Sequence, residues 1–187
     1  MLSRTAPSAG KLLISEPFLD DPNFKRSVVF MAEHEAEGTL GFILNQPSNF
    51  LLKDLVPDLW LAEYQVFVGG PVEMDTIHFI HRCYDKLNSG EEITNGIYWG
   101  GNFETLQILV NNNAIAANEV KFFIGYSGWG ENQLTEEIEA NTWIVSGQYH
   151  PDIIFSNNEE ELWREVIINL GPKYAHVSNF PSDPSLN

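Results

Sequence analysis

Positive charge is what this sequence has least of. Ten lysines and arginines stand against 26 aspartates and glutamates, a formal net charge of −16 over 187 residues. A field of that sign repels phosphate backbones unless cations gather on one face. Along the chain they do not gather: Arg4, Lys11, Lys25, Arg26, Lys53, Arg82, Lys86, Lys121, Arg164 and Lys173 are scattered. Direct nucleic-acid binding is therefore disfavoured. Cysteine is nearly absent as well, and the single Cys83 excludes an internal disulfide and suits a reducing compartment. No apolar run approaches the roughly 20 residues that a membrane helix needs. The amino terminus has one arginine ahead of Leu12-Leu13-Ile14, so no secretory signal is expected. The expectation is an acidic cytoplasmic protein with no membrane contact. Repeats, heptads and linker-like breaks are missing too, which leaves one domain over 11–172, a flexible arm at 1–10 and a tail at 173–187.

What is present is an ordinary globular composition, 43% hydrophobic and 19% charged, enough for one core. Lys11 to Ser15, Ser27 to Glu33, Thr39 to Asn45, Tyr64 to Val68 and Thr76 to His81 read as strands, two of them carrying unbroken apolar centres. His34 to Gly38 makes a hairpin loop, Pro47 ends the strand before it, and Lys53 to Val56 allows one helical turn. Asn88 to Asn95 is polar and glycine-bearing, hence a surface loop. Phe103 to Asn112 is a helix capped by Asn102, with Phe103, Leu106, Leu109 and Val110 inward. Asp152 to Phe155 reads as a short strand. Glu159 to Leu170 is the clearest helix, with Asn158 and Glu161 placed as a capping box. Strands early and helices late favour α+β with mixed or antiparallel pairing.

The stretch from Val120 to Val145 carries the most information. It reads as a buried strand, a glycine turn, a short acidic helix and a second strand. Gly125, Gly128 and Gly130 surround Tyr126, Ser127 and Trp129, and glycine amides at a helix start can hold an anion. Neither the phosphate-loop nor the dinucleotide spacing is present, and glutamates rather than a lysine follow. Ser127 lacks the glycine two residues on that a nucleophile elbow requires. Nothing selects a partner for it among His34, His78, His81, His150 and His176. His78 and His81 fall on opposite faces of a strand, so they make a poor metal pair. Arg82 could lower the Cys83 thiol pKa if the two lie close, although a lone strand-end cysteine is ordinarily inert. No catalytic set, metal site or cofactor is expected. If the strand ends Asn45-Gln46-Pro47 and Gly69-Gly70-Pro71 come beside Gly125 to Gly130, the three form one cleft. Its expected ligand- or partner-binding residues are Asn45, Gln46, Gly69, Gly70, Gly125, Ser127, Gly128 and Trp129.

Four ordered stretches also carry a resemblance. They are Pro17 to Val28 (PFLDDPNFKRSV), Gly38 to Pro47 (GTLGFILNQP), Val68 to Val72 (VGGPV), and Gly125 to Trp129 (GYSGW) with Gln133-Leu134, Glu137-Ile138 and Trp143. In this order and spacing they resemble the bacterial YqgE/AlgH family of uncharacterised proteins, also called UPF0301. The resemblance implies a cytoplasmic α+β protein whose bent sheet folds into a pseudo-barrel flanked by helices. It brings a frequent label of transcriptional regulator and no catalytic residues. Gln46 stands where the family often has a basic residue, and Asn132 where a glycine is common; asparagine tolerates the left-handed backbone there.

The function expected is that of a non-catalytic regulatory or interaction protein holding a protein partner or small ligand at the glycine-lined cleft. A hydrolase using the same cleft is the alternative, and a DNA-binding regulator follows from the label alone. The charge makes one prediction: the purified protein shows no salt-resistant, sequence-specific duplex binding in gel-shift titrations. Nanomolar affinity for a defined duplex at physiological salt would mean a basic face that the linear sequence hides.

Overall fold

The computed structural model describes residues 5–175. The strands are β1 (Leu12–Ser15), β2 (Val28–Glu35), β3 (Gly38–Ile43), β4 (Pro47–Leu51), β5 (Gln65–Val68), β6 (Val72–His81), β7 (Glu91–Thr94), β8 (Ile97–Trp99), β9 (Val120–Gly130) and β10 (Trp143–Ser146). The helices are α1 (Leu52–Leu55), α2 (Tyr84–Leu87), α3 (Phe103–Asn111), α4 (Gln133–Glu139), α5 (Glu159–Asn169) and α6 (Pro172–Ala175). The sheet runs β10-β1-β2-β3-β9-β6-β8-β7, with β4 on β5 and β5 on β9. Every pairing is antiparallel except β5 with β9. This is the α+β class expected, with an open sheet: its end strands β10 and β7 do not pair, so no barrel closes.

The eleven-residue β9 joins two half-sheets. Its first part lies between β5 and β6, and its last four residues, Ser127 to Gly130, pair with β3. The change of partner falls at Gly125, whose φ of +64° suits glycine and whose missing Cβ would lie 2.6 Å from the Gly70 carbonyl oxygen. Opposite it the β6 register shifts between Val72 and Ile77, a bulge. The strands of the first half-sheet are covered on both faces. Leu12, Ile14, Val28 and Phe30 pack with Leu162, Trp163, Val166 and Ile167 of α5. Their neighbours Leu13, Val29 and Met31 pack with Leu134 and Ile138 of α4. Burial on both faces is why these strands read as continuous apolar runs rather than alternating ones.

Several local readings change. Asp152 to Phe155 is not a strand: Pro151–Ile153 form a 3-10 turn, because Pro151 supplies no amide to a ladder and Ile153, Ile154 and Phe155 insert into the core instead. Asn88 to Asn95 is more than a loop. Asn95 and Gly96 both take positive φ and join β7 to β8 in a two-residue hairpin flanked by Thr94 and Ile97. Pro47 opens β4 rather than ending structure, and the β2–β3 loop shrinks to Ala36 and Glu37. Asn102 caps α3 through the Thr105 amide at 2.8 Å, but Phe103 is exposed. The α5 capping box does not form, since the Asn158 side chain makes no cap bond. Gly10 is tied in by its amide to the Met31 carbonyl at 2.8 Å, so the ordered fold begins before residue 11. The arm residues 1–4 and the tail residues 176–187, with His176, lie outside the described residues.

Lys121, in the middle of the sheet, is the one buried cation among the described residues, 3% exposed. Its Nζ donates to the Ser156 carbonyl at 2.6 Å and sits 3.8 Å from the centre of the Phe67 ring. Burial pushes the amine down to about 7, against the opposing charge of Glu159. Between about pH 7 and the ordinary lysine value of 10.5 the unfolded chain therefore binds the extra proton, so this group adds stability as pH rises. Urea melts of wild type and Lys121→Met at pH 7.5 and 9.5 test it. The wild type should gain on the variant by about 1.4 kcal/mol per pH unit. Parallel stabilities at the two pH values would contradict the burial argument.

Candidate binding groove

The backbones at Asn45-Gln46-Pro47, Gly69-Gly70-Pro71 and Gly125 do come together. The Gly69 amide donates to the Ile124 carbonyl at 2.9 Å, the Ile43 amide to the Gly69 carbonyl at 2.9 Å, and the Val68 amide to the Gln46 carbonyl at 2.7 Å. Their polar groups are spent inside the junction. Asn45 accepts from the Val28 amide and donates to the Arg26 carbonyl, each at 2.9 Å, clamping the loop before β2. Gln46 Nε2 donates to the Asn23 carbonyl at 2.7 Å and to Ser27 Oγ at 3.2 Å. Ser127 is 0% exposed and donates its hydroxyl to the Gly69 carbonyl at 3.0 Å. Gly69 and Gly70 are buried against β9, where a Cβ would come within 2.4 and 2.3 Å of its backbone. Small residues are needed here for close packing.

Gly125 to Gly130 is not a turn. It is the second half of β9, so its amides alternate across a strand and form no anion nest. The turn lies at Glu131 and Asn132, with Asn132 taking the left-handed backbone at φ +62°. Alternation along β9 sends Trp129 to one face and Gly128 and Gly130 to the other. On its face Trp129 is 5% exposed, packed among Phe24, Trp143 and α4. The indole N–H groups of Trp129 and Trp143 both donate to Glu137 Oε2, at 2.9 and 2.7 Å. Gln133 Nε2 holds the other oxygen at 2.9 Å.

The opposite face is a groove of about 520 Å³. Gly38, Gly128 and Gly130 pave it beside Leu40, Val72 and Tyr126, and Glu33, Glu35 and Glu37 stand along it. Gly38 is demanded by the fold, since a Cβ would lie 2.4 Å from the Trp129 carbonyl oxygen. Gly130 is not, and Gly128 is only in part. Neither has a positive φ; a Cβ on Gly130 meets nothing nearer than Gln133 Oε1 at 4.0 Å, and on Gly128 nothing nearer than the Tyr126 ring at 3.3 Å. Glycine inside a strand costs stability, about 0.5–1 kcal/mol relative to alanine. At Gly128 the return is room for the Tyr126 ring; at Gly130, which ends β9, the fold gives none.

The sequence profile of the AlgH-like family matches residues 12–175, essentially the whole described chain. The chain belongs to this family. A UPF0301 protein of Chlorobium limicola is 39% identical over 178 residues, 95% of each chain. One of Cytophaga hutchinsonii is 39% identical over 180 residues, 95% of this chain and 98% of its own. Among solved structures, a Corynebacterium diphtheriae protein superposes with a TM-score of 0.79 at 20% identity, covering 95% of both chains. The solution structure of AlgH from Pseudomonas aeruginosa gives 0.73 at 23% identity, covering 96% of this chain and 98% of its own. At these identities the two structures establish the shared fold.

Within this AlgH-like fold Ser127, His81 and Cys83, which could do covalent chemistry, are enclosed. His78 is half-buried beside Thr76 Oγ1 at 3.0 Å, with its ring among Phe42, Trp99 and Tyr126. His81 is buried, with Nε2 3.1 Å from the Gly100 carbonyl and Nδ1 3.7 Å from Cys83 Sγ. These two form a Cys–His pair, but burial pushes the thiol up to about 11, away from the thiolate a nucleophile needs. Arg82 does not counter this, because it pairs with Asp152 and covers the Phe155 ring. His150 accepts from the Asp152 amide at 3.3 Å and caps the 3-10 turn. Among the described residues no three His, Cys, Asp or Glu side chains are placed to hold a metal.

Of the sequence-read site residues, Gly128 alone opens onto the groove with its whole surface; Trp129 borders it but faces away. Glu33, Glu35, Leu40, Val72 and Tyr126 were not read as site residues. The signal for them was the period-two spacing of Gly128, Trp129 and Gly130, which belongs to a strand with two different faces. Burial of Trp129 predicts that Trp129→Ala costs roughly 3–5 kcal/mol in denaturant melts. A midpoint close to wild type would show that the indole does not hold α4 to the sheet.

Proposed function

We propose that this AlgH-like protein is a non-catalytic binding protein, regulatory by association, whose partner or ligand occupies the groove over Gly128 and Gly130. One observation carries this reading: Gly128 near the end of β9 and Gly130 at its end keep the floor of an open groove low, and at Gly130 the fold does not require glycine. A side chain at 130 would raise the floor without crowding the sheet, so the clearance there is available to something outside the chain. The enclosed state of Ser127, His81 and Cys83 supports binding over the hydrolase alternative, since none of the three presents a reactive atom to a cleft.

A fragment screen followed by amide NMR tests the proposal. Binding fragments should shift the amides of Leu40, Tyr126, Gly128 and Gly130 together. Gly130→Val should abolish those shifts while melting near the wild-type temperature, since nothing lies nearer than 4.0 Å to its Cβ position. Fragments that cluster elsewhere, or bind the variant equally well, would defeat the groove as the site.

A further inference from the structure

The backbone at Gly128 says more about the occupant. On β3, the Ile43 amide bonds toward Gly69 and the Leu44 amide toward Val28, so odd-numbered residues turn their polar groups to the β9 side. Thr39 and Gly41 therefore bond to their register partners Trp129 and Ser127. Gly128 and Gly130, of opposite parity, turn their N–H and C=O groups away from β3. The Gly130 amide is met by Gln133 Oε1 at 3.0 Å, which confirms the direction. On that outer side β6 reaches only as far as Tyr126, through Val72. Gly128 thus presents a donor and an acceptor on a short free edge of the sheet, with no partner strand among the described residues.

An exposed edge of this kind pairs with an extended chain. The surrounding charge selects its side chains. Glu33, Glu35 and Glu37 line the groove, and none makes an ion pair with any described residue. Glu33, Leu40 and Gly128 lie in one row across β2, β3 and β9, as do Glu35, Gly38 and Gly130. A strand added beside Gly128 would extend these rows. Its long side chains would reach over a floor kept low by Gly38, Gly128 and Gly130, past Leu40, toward the carboxylates of β2. A second copy of this chain fits badly, because it brings a net charge of −16 and scattered cations.

We infer that the groove's occupant is an extended, lysine- or arginine-bearing segment of a partner protein, which adds as a strand to the free edge of β9 at Gly128. This rests on the groove being the binding site, and it names the occupant. The probes are blocked hexapeptides alternating threonine with lysine, glutamine or glutamate, followed by amide NMR and hydrogen exchange on the full chain, with the fragment screen run in parallel. In the free protein the Gly128 amide should exchange fast and that of Trp129 slowly. The lysine peptide should slow Gly128 and shift Leu40 and Gly130. It should bind about tenfold tighter than the glutamine peptide at low salt, an advantage that high salt removes. Glu33→Gln with Glu35→Gln should erase most of that advantage; these exposed changes leave the fold intact.

Equal binding of the glutamine peptide at the groove would overturn the basic character and leave the groove standing. Fragments in the groove without any peptide binding would overturn the added strand alone. Silence from fragments and peptides alike would overturn both. A Gly128 amide already protected in the free protein would show that the edge is closed and end the inference.

Discussion

The structure depends on a single strand changing partners at Gly125. Up to that residue β9 is central to the half-sheet of β5, β6, β7 and β8; beyond it, the strand closes the half-sheet of β1, β2, β3 and β10. The exchange requires backbone to pass backbone at a distance no Cβ permits, which is why Gly69, Gly70 and Gly125 meet there. A side chain at that crossing would separate the half-sheets and, with them, the cores packed under α5 and α3. The candidate groove is a consequence of the same arrangement. β6 leaves β9 at Tyr126, and the last residues of β9 are left with one neighbour instead of two.

Glycines that look alike in the sequence therefore do opposite things. Those at the crossing are filled space, with neighbours closer than a methyl group allows. Those at 128 and 130 border open space, with the Tyr126 ring leaning over Gly128, opposite a face where Trp129 and Trp143 share one carboxylate oxygen of Glu137. That shared acceptor satisfies two buried indole N–H groups at once and fixes α4 beneath the strand. The groove floor is consequently backed by a rigid layer. For the binding role proposed, a face backed in this way would be preformed, which lowers the ordering cost of binding.

Charge is arranged with the same asymmetry. The scarce cations are mostly used internally: Arg82 with Asp152, Lys86 with Glu119, Lys53 with Glu63, and Lys121 against Phe67 and the Ser156 carbonyl. Carboxylates outnumber them, so those beside the groove keep their charge unneutralised. A field of one sign discriminates among partners by rejecting anions before contact.

The linear sequence determined the family, the α+β class and most strand positions, because local apolar runs and ordered motifs survive without knowledge of their neighbours. It also carried Asn102 as a cap, Asn132 as a left-handed residue, and the hairpin signal of Asn95-Gly96 that was passed over in a polar stretch. Tertiary structure alone decided what Gly125 to Gly130 is. A glycine-rich run before a helix fits a turn on local grounds, and it becomes a strand because β3 lies alongside to accept its hydrogen bonds. The same pairing decided which face Trp129 covers and which face stays open. It also placed Glu33 and Glu35 beside Gly128, some ninety residues away in the chain. Register across three strands is a long-range property, set by which backbones meet, and no local pattern contains it.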